Sequence, residues 1–178
     1  MMIIPDEKTN KQNVPKSTSA FHWSYIALPI AILLLSIILT AAFSLKLPAE
    51  LAYHFKSDGS PDRWLSRSYI ILAMLLPQLL LTLFASATTW GVARLNARFR
   101  PPGQTRIKPE RIIGLMGNMV ALPQIVLGFT MLDIFIYNSY RIHIMPLWLF
   151  VVIIMGVGSI LLGIFFLQAL RETWQATQ

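Results

Sequence analysis

The chain has 178 residues, of which 55% are hydrophobic and 13% charged, and its mean hydropathy is +0.59. A soluble domain of this length does not carry so much apolar side chain, so a bilayer is part of its solvent. The net charge is +7, from 15 Lys and Arg against 8 Asp and Glu, and the lack of cysteine excludes disulfides, cysteine-ligated zinc and thiol nucleophiles.

Residues 1–20 contain Pro5, Pro15 and many Asn, Lys, Ser and Thr without apolar periodicity, and read as a disordered cytoplasmic tail. Four apolar stretches follow, at 23–45, 68–93, 112–138 and 144–170. Each reaches the roughly 20 residues that a membrane-crossing helix needs. The expected fold is therefore all-α: residues 21–178 form one domain, a four-transmembrane-helix bundle. The first stretch is preceded by Lys8, Lys11 and Lys16 and followed by Thr40, Ala41 and Ala42, as a signal peptide would be. Its apolar run exceeds the roughly 7–15 residues of a signal sequence, so it is read as a retained span. Trp23, Trp64, Trp90, Trp148 and Trp174 all fall near expected span ends, where amphipathic rings prefer to sit.

Cationic residues close to span ends stay in the cytoplasm. Three lie in the N-terminal tail, six between spans two and three (Arg94, Arg98, Arg100, Arg106, Lys108, Arg111) and one in the C-terminal tail. The remaining five are Lys46, Lys56, Arg63 and Arg67 in the first loop and Arg141 in the third. This imbalance puts both termini and the middle loop inside a bacterial cytoplasmic membrane, and loops 46–67 and 139–143 outside. The basic 94–111 loop then meets anionic lipid headgroups. No recognition motif or aromatic cluster accompanies it, so nucleic acid is not an expected partner.

The first outer loop, 46–67, is the segment densest in functional side chains. Alternation around Tyr53-His54-Phe55 followed by Asp58-Gly59 predicts a short extended piece and a tight turn, since Gly supplies positive φ. Pro61 and Trp64 then return the chain to the membrane surface. Leu47-Pro48, His54-Phe55, Gly59, Pro61-Asp62, Trp64 and Ser66-Arg67, with Pro77 in the next helix, follow a specific spacing. Over about residues 23–90 the chain thereby resembles the bacterial membrane family known as domain of unknown function sixteen-forty-eight. That domain also forms the N-terminal part of proteins like the sporulation-delay toxin immunity protein. The resemblance implies a shared loop structure and a membrane role of immunity or signalling type. Leu51-Ala52 stands where the family has Ile-Pro, Lys56 where Asn is common, Leu65 for a small residue and Arg67 for Lys. An Arg fork and a Lys point charge bind ligands differently.

Span two is expected to overshoot the membrane as far as Arg98, before Pro101-Pro102-Gly103 ends the helix. It contains Leu76-Pro77-Gln78, echoed in span three by Leu122-Pro123-Gln124. Two kinks at similar depth place Gln78 and Gln124 either as hydrogen-bonding glue between helices or as the lining of a polar cavity. Asp133 is the only acidic residue within a span. It lies toward the outer end of span three, within about 60° of Asn118 on a helical wheel, and is expected to pair with Arg67, Arg141 or His54. Gly156, Ser159 and Gly163 share a face of span four that suits packing or homo-oligomer formation.

His54, Asp58, Asp62 and His143 lie on one side of the membrane but match no short-spaced metal motif. No catalytic residue, metal or cofactor is assigned. The leading expectation is a non-enzymatic protein whose outer loop binds a peptide, protein or envelope component through His54, Phe55, Asp58, Gly59, Pro61, Asp62, Arg63, Trp64 and Arg67. One rival is a small transporter or transporter subunit with Gln78, Asn118, Gln124 and Asp133 along its path. Another is a metal-dependent membrane enzyme.

Overall fold

A computed structural model describes residues 22–56, 58–99 and 109–175. The N-terminal tail, and residues 100–108 of the basic loop, lie outside the described residues. The chain opens with a single 3₁₀ turn, Trp23–Ile26, that runs into helix α1, Ala27–Phe43. A β-hairpin follows, strands β1 (Glu50–Phe55) and β2 (Pro61–Ser66), and leads directly into α2, Arg67–Phe99. Helices α3 (Pro109–Met119), α4 (Ala121–Tyr140) and α5 (Leu147–Gln175) complete the chain. Four segments are long and apolar enough to cross a membrane: Trp23–Phe43, Arg67–Leu95, Ile112–Tyr140 and Leu147–Phe165. The protein is a multi-pass membrane protein.

Span three departs from expectation by being two helices that meet at Val120. Pro123 explains the break, because its ring crowds the carbonyl four residues earlier, on Met119, and brings no N–H to bond it. Pro77, by contrast, sits inside an unbroken α2. Around and beyond it Gln78 donates from Nε2 to the Met74 carbonyl, and Thr82, Ser86 and Thr89 each hydrogen-bond the carbonyl four residues earlier. In an apolar medium such side-chain bonds supply what water cannot. Span four begins at Leu147, three residues later than expected, since Pro146 cannot continue a helix from the preceding turn.

Where α1, α2 and α4 meet, the polar side chains face one another. Gln124 donates from Nε2 to the Gln78 carbonyl (2.8 Å) and to Thr82 Oγ1 (2.8 Å), while Ser36 Oγ donates to Gln78 Oε1 (2.7 Å). Both glutamines are fully buried. Below the hairpin an apolar cluster forms from Leu47, Leu51, Ile70, Met131, Ile134 and Phe135. At the opposite end Tyr25, Ala93 and Ile113 pack together. There Asn118 Oδ1 accepts from Leu28 N–H (3.1 Å) and its Nδ2 donates to the Ser24 carbonyl (3.0 Å), tying the 3₁₀ turn to α3. Asn118 and Asp133 thus belong to different helices and opposite ends, and the wheel that aligned them does not apply across the break at Val120.

Helix α5 is the least embedded. It packs on α4 through a Phe129–Phe150 stack (3.8 Å between ring centroids) and through Gly158, where a Cβ would lie 3.0 Å from Leu122 Cδ1. Gly156 and Gly163 point away from the bundle, and a Cβ on either would meet nothing within 4 Å.

Candidate functional site

The hairpin starts from the end of α1. Leu47 N–H bonds the Phe43 carbonyl, and the Arg67 guanidinium donates through Nη1 to the carbonyls of Ser44 (2.9 Å) and Leu47 (3.1 Å). Helix C-termini leave carbonyls unsatisfied and favour positive charge, so Arg67 serves both needs. The strands are antiparallel, with Glu50 opposite Ser66, Leu51 opposite Leu65 and Ala52 opposite Trp64, and the register shifts on either side of His54. Such irregularities re-aim side chains. At the turn Gly59 takes φ +81°, and Asp58 Oδ1 accepts from both the Ser60 N–H (2.9 Å) and the Ser60 hydroxyl (2.7 Å).

Across the strands His54 Nδ1 meets Asp62 Oδ1 at 2.5 Å. That hydrogen bond holds the Asp62 carboxyl below the usual carboxylate range, and the charges of His54 and Arg63 add to the effect. Asp58 is lowered as well, by its bonds from the Ser60 hydroxyl and then the Ser60 N–H. Trp64 stays half exposed on β2.

Asp133 does not pair with Arg67, Arg141 or His54. Its Oδ2 meets His143 Nδ1 at 2.9 Å, and its Oδ1 accepts from the Ile144 N–H at 2.8 Å. The cause is Arg141, which ends α4 in the left-handed conformation (φ 60°) with its N–H on the Tyr137 carbonyl. That reversal folds residues 142–146 back over the last turns of α4. The other expected partners are engaged elsewhere: Arg67 at the end of α1, His54 on Asp62, and the Arg141 guanidinium 5.7 Å from the Tyr137 ring centroid.

The His143 ring is held on both sides. Tyr137 stacks on it at 4.5 Å and 25°, and Phe55 meets it edge-on at 4.4 Å and 89°. The other nitrogen of His143, Nε2, is buried without a hydrogen-bond partner among the described residues. His143, Asp133 and residues 53–56 line a cavity of about 660 Å³ whose opposite wall is Ile144 to Trp148. Gly59 reaches its edge. Mostly apolar walls with a few fixed polar groups are what small ligand sites have in common.

The sequence-predicted residues therefore divide. His54, Phe55 and Gly59 line the cavity. Asp62 orients His54, Asp58 shapes the turn, Arg67 fastens the hairpin base, and Pro61, Arg63 and Trp64 lie on β2. Gln78 and Gln124 hold helices together in the bundle interior. His54, Asp58, Asp62 and His143 do not converge, and the described residues contain no group of three or more His, Asp or Glu arranged to hold a metal.

Tyr53, Lys56 and Trp148 line the cavity without having been named as binding candidates from the sequence, as does the 144–147 segment. Asn138 was missed too. It is buried, accepts the Ala52 N–H and donates to the Ala52 carbonyl, both at 2.9 Å. A polar amide at the end of an apolar span was the available signal.

Residues 31–81, which run from α1 through the hairpin into α2, match the family model described as Domain of unknown function (DUF1648). The resemblance read from the sequence is borne out over that segment. No curated protein and no solved structure matches the chain.

Proposed function

We propose that this multi-pass membrane protein, whose residues 31–81 carry a domain of unknown function that builds the hairpin, is a non-enzymatic binding protein. Its hairpin end takes up a peptide, protein or envelope component. The observation that carries this reading is the cavity between β1 and the 144–148 segment, where a fixed Asp133–His143 pair sits among apolar and aromatic walls. His143 meets no hydroxyl among the described residues, which suits recognition better than nucleophilic catalysis.

The distribution of Lys and Arg supports an orientation with this end on the outer face of a bacterial cytoplasmic membrane and both termini inside. A role of immunity or stress-signalling type would use the same face to meet its target. The bonds among Ser36, Gln78, Thr82 and Gln124 weigh against a transport path, because the amides are engaged in joining helices.

The reading is tested in cells. Replacing His54, Asp62 and Trp64 together is expected to abolish rescue of a deletion phenotype while the protein still accumulates in the membrane. Full rescue by the triple variant would remove the proposal.

A further inference from the structure

Resting on that reading, we infer that the cavity holds the phosphate headgroup of an anionic phospholipid, with Lys56 facing the phosphate and the acyl chains running on along α5.

The first ground is which polar side chains of the lining remain unengaged. Asp133 already has a hydrogen bond on each oxygen, to Ile144 N–H and His143 Nδ1, and His54 is turned to Asp62. Tyr53, Lys56 and Trp148 line the same cavity, and the hydroxyl, ammonium and indole N–H they carry have no partner among the described residues. The ammonium and the indole only donate, and the hydroxyl can donate too. Donors with one positive charge among them suit an acceptor-rich anion such as a phosphate. A choline or ethanolamine headgroup would instead bring a second cation beside Lys56.

The second ground is how these groups come together. A regular strand turns successive side chains to opposite faces, which would put Tyr53 and Lys56, three positions apart, on different sides of the hairpin. The register shifts on either side of His54, and residues 53–56 all reach the one cavity.

The third ground is position. Leu147 and Trp148, 45% and 69% exposed, line the cavity and are the first two residues of a membrane-spanning helix. An exposed Trp at a span end sits at headgroup level. Beyond it Val152 and Met155 are exposed on α5, where acyl chains would lie. A soluble phosphodiester would leave that apolar path unused.

The full chain, extracted in mild detergent, is to be photolabelled with phosphatidylglycerol carrying a diazirine in its acyl chain, and the labelled peptides mapped by mass spectrometry. Labelling is expected within residues 144–155, a readout that the basic 94–111 segment does not enter. Unlabelled phosphatidylglycerol should displace the probe about tenfold better than phosphatidylcholine, the size of one charge-assisted hydrogen bond. Glycerophosphoglycerol, the same headgroup without chains, should not displace it at equal concentration. Lys56→Ala is expected to lower labelling of this segment about tenfold with an unchanged thermal transition, and Lys56→Arg to keep most of it. Lys46→Ala, which removes an outer cation that does not line the cavity, should label as the parent does. Equal displacement by phosphatidylcholine or by glycerophosphoglycerol overturns the inference, and so does normal labelling of Lys56→Ala or an equal loss in Lys46→Ala. The competition arms use the unaltered chain and decide the matter if Lys56→Ala fails to fold. None of these outcomes removes the binding reading, which falls only to rescue by the His54, Asp62 and Trp64 triple variant.

Discussion

Asn138, near the end of α4, occupies both main-chain groups of Ala52, accepting its N–H and donating to its carbonyl at 2.9 Å each. The amide stands in for a neighbouring strand on the free edge of β1. Asn138→Ala would leave both groups buried and unbonded, at about 1–3 kcal/mol apiece. A clear fall in thermal midpoint in detergent is expected. Protease cleavage within residues 50–66 should accelerate, while Asn138→Asp, which keeps the acceptor, should fall between the two.

Gly117 is set by close approach. A Cβ there would lie 2.2 Å from the Tyr25 carbonyl oxygen and 2.6 Å from Thr89 Cγ2, the first of which is main chain and cannot rotate away. Gly117→Ala is expected to destabilise by about 1–3 kcal/mol. Gly163→Ala, with open space around it, should be neutral or stabilising by up to about 1 kcal/mol from helix propensity. Parallel melting curves of the two variants check the contrast.

The His54–Asp62 pair predicts a direction for acid sensitivity. The folded Asp62 carboxyl titrates below its ordinary value of 3.8. Its contribution to hairpin stability is therefore complete above that ordinary value and is lost as pH falls through the lowered one. Titration of the Asp62 carboxyl carbon by NMR should show a midpoint below that of an unstructured Asp. His54→Ala should move the midpoint upward, and an unmoved midpoint would show that the pair does not form in solution.

Arg67 joins the base of β2 to the end of α1 through two carbonyls. Arg67→Ala is expected to cost about 1.5–3 kcal/mol, the worth of hydrogen bonds from a charged group. Arg67→Lys keeps the charge that suits a helix C-terminus but loses the fork. It should recover roughly half of the loss in a chemical denaturation series.

Hydropathy carried most of the architecture, because four apolar runs and the residues between them leave little choice in a bilayer. The first strand and the turn were legible too, from the Asp58-Gly59 pair and the alternation before it, whereas the second strand, Pro61–Ser66, was not foreseen in a segment that opens with proline. Two features were not. The break at Val120 depends on how Pro123 is accommodated, and the same residue type at Pro77 leaves its helix whole. Asp133 was recognised as needing a partner, but the choice of His143 follows from one left-handed residue, Arg141, a backbone state that a non-glycine side chain gives no warning of. The cavity likewise joins residues about 90 positions apart, and no local pattern reports such a meeting.

The slight attachment of α5 has a consequence for synthesis. One wall of the cavity, Leu147 and Trp148, belongs to the helix that leaves the ribosome after α1 to α4 and the hairpin. Because α5 meets the bundle mainly along α4, the first four helices can assemble before it arrives. Nascent chains therefore hold a finished hairpin facing an unfinished receptacle, and competence to bind is acquired only when the last span has been released into the bilayer.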